Sequence, residues 1–321
     1  MDVRGHDVDI RCRANILEAW RTHPGYECTL LLRLKMNSNV EASAWAKELN
    51  FHATSDSVSP NAMVSSITGR KAAWQQGIGN QLRITPELYL IYKERATRQE
   101  GIGLDVRRTL PSLLLFGKRG EPLYDQLREV LEVYQCYRPD VGYVQGMSYV
   151  AAMLCLHIPN SPYESFVCLA NLLASHHLFD LYRLGQSYDR VQGYYKVLDL
   201  IISKTSSRLW KHLNALGMMD EIHVSCFQWL QTLFVRRMPL ETVTVLWDAF
   251  LCRRDTTVMM RACVAVLLCK KSSILQAHDQ EDVLILMRSQ PKVDDFMRNV
   301  YSHVQVPQEA REKLRGLLDL Y

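Results

Sequence analysis

No CxxC pair occurs anywhere in the 321 residues, and the nine cysteines form an odd set whose members stand singly. Many lie inside apolar stretches, as Cys155, Cys168, Cys226, Cys263 and Cys269 do. That distribution excludes a disulfide framework and a zinc finger, and it fits the reduced, buried thiols of a cytosolic protein. Long apolar runs are missing as well. A run such as Ala262 to Cys269 falls far short of the roughly 20 residues that cross a bilayer. The opening MDVRGHDVDIRCR has no apolar segment of the signal-peptide kind. Basic residues come in pairs at most (Arg236-Arg237, Arg253-Arg254, Lys270-Lys271), and the net charge is a mild +4, so charge does not point to nucleic acid. Strand signals are scarce, with no Asn-Gly or Asp-Gly turn between alternating apolar runs, and no repeat of solenoid length appears.

What is present is helical periodicity, in a chain nearly half hydrophobic that can fill a sizeable core. Leu123, Leu127, Val130, Leu131 and Tyr134 share one helix face, with Pro122 suited to the first turn. Ser161-Pro162-Tyr163-Glu164 forms a capping box ahead of Phe166, Leu169 and Leu173. Further stripes are Tyr188, Val191, Tyr195, Leu198 and Ile202, then Leu209, Leu213 and Leu216, closed by Gly217. Phe227, Leu230, Leu233 and Phe234 precede a break at Pro239, after which Val243, Leu246, Trp247 and Phe250 resume the period. A last segment opens at Pro307 and carries Ala310, Leu314 and Leu317. The expected fold class is all-α with short connections. One composition shift, ATSDSVSPNAMVSS over residues 53–66, reads as a linker or mobile loop. It separates a helical flank over 1–52, with short amphipathic stretches around Trp20 and Trp45, from a main domain over 67–321.

Several motifs are set aside on their chemistry. Gly77-Ile78-Gly79 begins like a dinucleotide loop, but Leu82 takes the place of the last glycine and no strand precedes it. Gly117-Lys118 lacks the spaced glycine and the Ser/Thr of a phosphate loop. Gly146-Met147-Ser148-Tyr149 approaches a nucleophile elbow, but Val150 replaces the closing glycine in a helical context, so Ser148 is not read as a nucleophile. His176-His177 point apart on a helix with no carboxylate at ligand spacing, and no metal site is expected. Trp247-Asp248 occurs once and says nothing of a propeller.

Two segments stand out: Ile102-Gly103-Leu104-Asp105-Val106-Arg107-Arg108-Thr109 and Gly142-Tyr143-Val144-Gln145-Gly146-Met147. Taken singly they have ordinary explanations. Asp105 and Arg108 are spaced for an ion pair on one helical turn, and Gln145 beside a glycine suits a helix entry. Taken together, IxxDxxRT followed by YxQG resembles the signature of TBC domains, the GTPase-activating domains for Rab GTPases. The resemblance continues in order along most of the chain. Arg70-Lys71-Ala72-Ala73-Trp74 is similar to the family's RxxxW, followed by Ile78-Gly79-Asn80. Phe227 to Phe234, Met238-Pro239-Leu240 and Leu246-Trp247-Asp248-Ala249-Phe250-Leu251 resemble its later helices. One departure is that Val64 to Gly69 has no proline where the family commonly carries a Gly-Ile-Pro type turn. This leaves the geometry of the domain's N-terminal edge, and partner contacts there, open.

The resemblance implies a division of labour. Arg108 is the arginine finger, with Arg107 one place off the motif, and Asp105 one turn earlier holds it or its loop. Gln145 is a second finger, whose amide can grip water and a phosphate oxygen together. Gly146 lets the backbone approach closely. Tyr143 and Thr109 support the fingers or touch the GTPase, while Arg70, Trp74, Trp247 and Asp248 are structural. The partner is a GTP-bound Rab-type GTPase, which itself carries GTP and Mg²⁺, so no cofactor is expected here. The place of action is the cytoplasm, peripheral on endomembranes through the Rab. Two other classes stay open at this point: a TBC module that binds a Rab without accelerating hydrolysis, and a helical scaffold of a traffic complex.

Overall fold

The computed structural model describes residues 67–318, so the flank over 1–52 and the linker over 53–66 lie outside the described residues. All regular elements among the described residues are helical. In chain order they are α1 (Ile67–Ile78), α2 (Pro86–Arg95), α3 (Glu100–Arg108), α4 (Tyr124–Tyr137), α5 (Met147–His157), α6 (Pro162–Leu173), α7 (His176–Leu181) and α8 (Leu184–Thr205). There follow α9 (Ser207–Ala215), α10 (Met219–Gln231), α11 (Leu240–Trp247), α12 (Val258–Cys269), α13 (Lys271–Ile274), α14 (Gln280–Arg288), α15 (Val293–Arg298) and α16 (Gln308–Leu318). The chain divides into two compact units, one ending at Leu169 and the other beginning at Ala170.

The first unit is organised on α5. Met147, Val150, Ala151, Ala152, Met153, Leu154 and Cys155 are all fully buried, the pattern of a helix that is apolar all round and enclosed by others. Helices α1, α3 and α4 pack against it. The stripe read on α4 is buried throughout, but Leu123 is the N-cap and Pro122 precedes the helix rather than opening its first turn. Pro162 is the first helical residue of α6, and the Ser165 amide donates to the Ser161 carbonyl at 3.0 Å. Glu164 pairs with Lys71 of α1 at 2.6 Å.

At the far end of α5, His157 lies under Trp74, with ring centroids 4.2 Å apart, and its Nδ1 is 3.0 Å from the Met153 carbonyl oxygen. Burial pushes its imidazole down to about 3, and the nearby Arg70 charge acts in the same direction. An unfolded histidine titrates near 6.5, so between about 6.5 and about 3 the unfolded state holds the extra proton. Stability is therefore fully present above that window and falls as pH falls through it, by up to about 1.4 kcal/mol per pH unit. Replacing His157 with Phe, which keeps a ring beneath Trp74, is expected to flatten this part of the acid limb. The denaturant midpoint of the unaltered protein should fall relative to that of His157→Phe as pH drops across the window, and parallel curves would show that His157 contributes nothing.

The second unit has its own enclosed helix, α12, buried from Val258 to Leu267 except at Arg261. Helices α8, α10 and α15 pack on it. The stripe read on α8 needs correcting. Tyr188 is 62% exposed, Tyr195 is only half-buried, and Tyr194 takes the core position with its hydroxyl donating to Asp180 at 2.7 Å. The break at Ser187 (φ −119°, ψ 19°) precedes the whole stripe, and the face that turns inward is Val191, Tyr194, Leu198 and Ile201, with Ile202 beside it. Tyr195 instead stacks on His223, 4.5 Å away. Leu233 and Phe234 are buried as read, but past the end of α10, with left-handed backbone (φ 45° and 65°). Phe227 is half-buried.

Gly217 does close α9. The Met218 amide donates to the Leu213 carbonyl at 2.9 Å and the Gly217 amide to Asn214 at 3.0 Å, with Gly217 at φ +66°. This is the paired-bond helix end that needs a left-handed residue. Gly217→Ala is expected to cost about 1–2 kcal/mol through that conformation. Urea unfolding should show a lowered midpoint at unchanged slope, and an unshifted midpoint would contradict this account.

Candidate functional site

Helix α3 owes its placement to its inner face. Ile102, Gly103, Asp105 and Val106 are buried, while Leu104, Arg107 and Arg108 are exposed. The absence of a side chain at Gly103 lets the Arg128 guanidinium lie across it, where a Cβ would stand 3.4 Å from Nη1. Arg128 is held in turn by Glu132 at 2.8 Å, and Glu132 also accepts the backbone amide of Gln99 at the start of α3. The helix ends at Arg108, with Thr109 as C-cap and Pro111 two residues on, where a proline stops propagation. Arg107 and Arg108 in this last turn complement the partial negative charge of the helix end.

Asp105 is 6% exposed and lies between two partners. Its Oδ1 faces the Arg108 guanidinium, and its Oδ2 accepts the Tyr143 hydroxyl at 2.7 Å. Arg108 itself has a side chain 63% exposed, so the pair anchors its charge without covering it. Burial, and then the bond to the carboxylate, push the Tyr143 phenol well above its usual range, which keeps it protonated as a donor. The Thr109 side chain is fully buried. Its Oγ1 lies 2.6 Å from the Asp105 carbonyl oxygen and 2.8 Å from Ser148 Oγ.

Gln145 occupies a tight turn in front of α5. The Met147 amide donates to the Val144 carbonyl at 3.1 Å, and Gly146 sits between at φ +108°, ψ −28°. That is the third position of a type II-like turn, which glycine fills because a Cβ is strained there. Gln145 therefore stands at the corner of the turn, exposed, two residues after Tyr143. Through Tyr143 and Asp105, the segment that presents Gln145 is tied to the helix that presents Arg108.

The other residues named from sequence fall elsewhere. Trp74 is fully buried on α1, and Arg70, one turn earlier, is half-buried. Trp247 and Asp248 belong to the second unit. Trp247 is buried and its indole N–H donates to the Leu233 carbonyl at 3.1 Å, while Asp248 opens a π turn over Asp248–Cys252. The residue that sequence reasoning passed over is Ser148, 1% exposed and bonded within the site. Its only legible signal was a hydroxyl at the start of an otherwise apolar helix, three residues after Gln145.

Comparison with known proteins follows the same lines. The family model for the Rab-GTPase-TBC domain matches residues 68–275. The chain is 32% identical over 238 residues to TBC1 domain family member 12 of Xenopus tropicalis, covering 66% of this chain and 33% of that protein. It is 29% identical over 229 residues to TBC1 domain family member 14 of Homo sapiens, covering 63% and 32%. The chain thus spans about a third of the length of these curated relatives. Among solved structures it is similar to the Chlamydomonas flagellar RabGAP TBC domain, with a TM-score of 0.65 at 19% identity, over 84% of this chain and 93% of the other. The Ypt/Rab-GAP domain of Gyp1p gives 0.51 at 16% identity, over 96% and 93%. At such identities these two likenesses concern the fold.

Proposed function

The chain belongs to the Rab-GTPase-TBC domain family, and from that premise we propose that it accelerates GTP hydrolysis on a Rab-type GTPase, supplying Arg108 and Gln145 in trans. Hydrolysis of GTP needs positioning and charge stabilisation more than covalent help. Arg108 neutralises the charge that builds on the transferred phosphoryl group; its planar fork matches phosphate oxygens and it never loses its proton. Gln145 orients the attacking water with a donor and an acceptor on one amide. The observation that carries this reading is the Asp105 junction. One carboxylate, buried and doubly engaged, holds an exposed arginine on one side and, through Tyr143, braces the exposed Gln145 turn on the other. Such a rigid base under solvent-facing side chains lowers the entropy lost when a partner docks.

GTP and Mg²⁺ belong to the partner in this scheme, and the GTP-bound form is the one engaged. The protein acts from the cytoplasm and meets membranes through the Rab it binds. Among the described residues, no helix is long and apolar enough to cross a membrane. A single-turnover hydrolysis screen against a panel of GTP-loaded Rabs tests the proposal. At least one Rab should turn over faster by about 10³-fold or more, the lower range for a finger supplied in trans. Binding to GTP-loaded Rabs with no acceleration on any member would mean a silent binding module instead.

A further inference from the structure

Ser148, set aside as a nucleophile, has its hydroxyl inside the junction between the two finger segments. Its Oγ lies 2.8 Å from Thr109 Oγ1, and the Tyr143 phenol, five residues earlier, bonds Asp105. The direction of these bonds follows from their end point. A carboxylate only accepts, so Tyr143 must donate to Asp105. The Asp105 backbone carbonyl likewise only accepts, so Thr109 donates to it at 2.6 Å and shares its hydroxyl oxygen with Ser148. The Thr109 and Ser148 hydroxyls thus form a buried pair joining the end of α3 to the start of α5, beside the carboxylate that faces Arg108.

We propose that Ser148 is a positioning residue for the reaction, its hydroxyl fixing the turn that presents Gln145 against the helix end that presents Arg108. Thr109 closes the C-terminus of α3, and Ser148 is the second residue of α5, one turn after Gln145. The bond between them is thus a direct side-chain tie from one finger-bearing segment to the other. The fold does not depend on it, because α5 is held by apolar side chains along its whole length. What the tie adds is register, and register matters because a displacement of about 1 Å at reacting groups can cost roughly 10²-fold in rate.

This inference rests on the proposed hydrolysis mechanism, and its test separates the two. Ser148→Ala, Thr109→Val and Thr109→Ser are compared with the unaltered protein on a Rab that the latter stimulates, with melting curves recorded for each. Ser148→Ala and Thr109→Val should each lower the saturating single-turnover rate by at least about tenfold. Affinity for the Rab loaded with a non-hydrolysable GTP analogue should stay within about twofold. Thr109→Ser, which keeps the hydroxyl, should retain most of the rate. Adding Ser148→Ala to Gln145→Ala should remove little more, since there is no longer an amide to misplace. Should Ser148→Ala fail to fold, Thr109→Val carries the comparison from the other side. Amide exchange over Gln145–Tyr149 should also quicken by at least about tenfold in Ser148→Ala. Full stimulated rates in both hydroxyl-deleted proteins, an equal loss with and without Gln145, or unchanged exchange would each overturn the role of Ser148. Absence of stimulation by the unaltered protein on every Rab would instead overturn the hydrolysis mechanism, and the role of Ser148 in it.

Discussion

Arg108→Ala is expected to reduce stimulated GTP hydrolysis by at least about two orders of magnitude, since an arginine finger contributes about 10³–10⁵ in rate. Stability should change by no more than about 1 kcal/mol, because the Arg108 half of the pair is 63% exposed and screened by solvent, although Asp105 is buried. Asp105 would keep the Tyr143 donor after the guanidinium is gone. Arg108→Lys should rescue poorly, because a compact ammonium cannot reproduce two parallel donors. Arg107 supplies the internal control. It is exposed on the same last turn but lacks the tie to Asp105, so Arg107→Ala should leave most of the rate. If Arg107→Ala abolishes stimulation and Arg108→Ala does not, the finger is assigned one residue too late.

Gln145→Ala is the second large effect and tests water positioning in trans. Many GTPases carry their own glutamine for this task, and its loss normally cripples stimulated hydrolysis. If Gln145 takes over the role, the protein should still accelerate a Rab whose own catalytic glutamine is replaced by alanine. Gln145→Ala should lose most of the activity on both forms of that Rab, while binding to a GTP-like ground state persists. A residue that merely shaped the turn would behave otherwise, giving lowered stability with near-normal turnover of the folded fraction. Gly146 rather than Gln145 carries the turn's conformational demand, so the substitution at 145 should be nearly silent in a melting curve. Single-turnover rates for the four combinations decide the matter. Loss of all stimulation when only the Rab glutamine is changed, with binding intact, would rule out a glutamine supplied in trans.

How far the residues alone led depended on the range of the interactions involved. The all-α class, the buried faces of α4 and α6, the start of α6 at Pro162 and the helix end at Gly217 rest on contacts within a few positions of one another, so local periodicity and cap chemistry suffice. The motif around Asp105 and Arg108 was legible for the same reason, being one turn of one helix. The α8 stripe was misread because Tyr194 and Tyr195 both fit the helical spacing, and which of them turns inward is set by packing. Leu233 and Phe234 were read correctly as core but not as residues beyond a helix end, because burial and conformation are separate properties.

What the linear chain determined by itself is therefore the inventory: helices, their inward faces, and two short segments bearing an arginine and a glutamine. What only the tertiary structure decided is that those segments meet. Tyr143 reaches Asp105 across 38 positions and Ser148 reaches Thr109 across 39. Spacing rules describe neighbours on one helix and are silent about side chains brought together from two. Ser148 could not be assigned from sequence because a hydroxyl's role is set by what it bonds. Its partner, Thr109, reaches it only when α3 packs against α5.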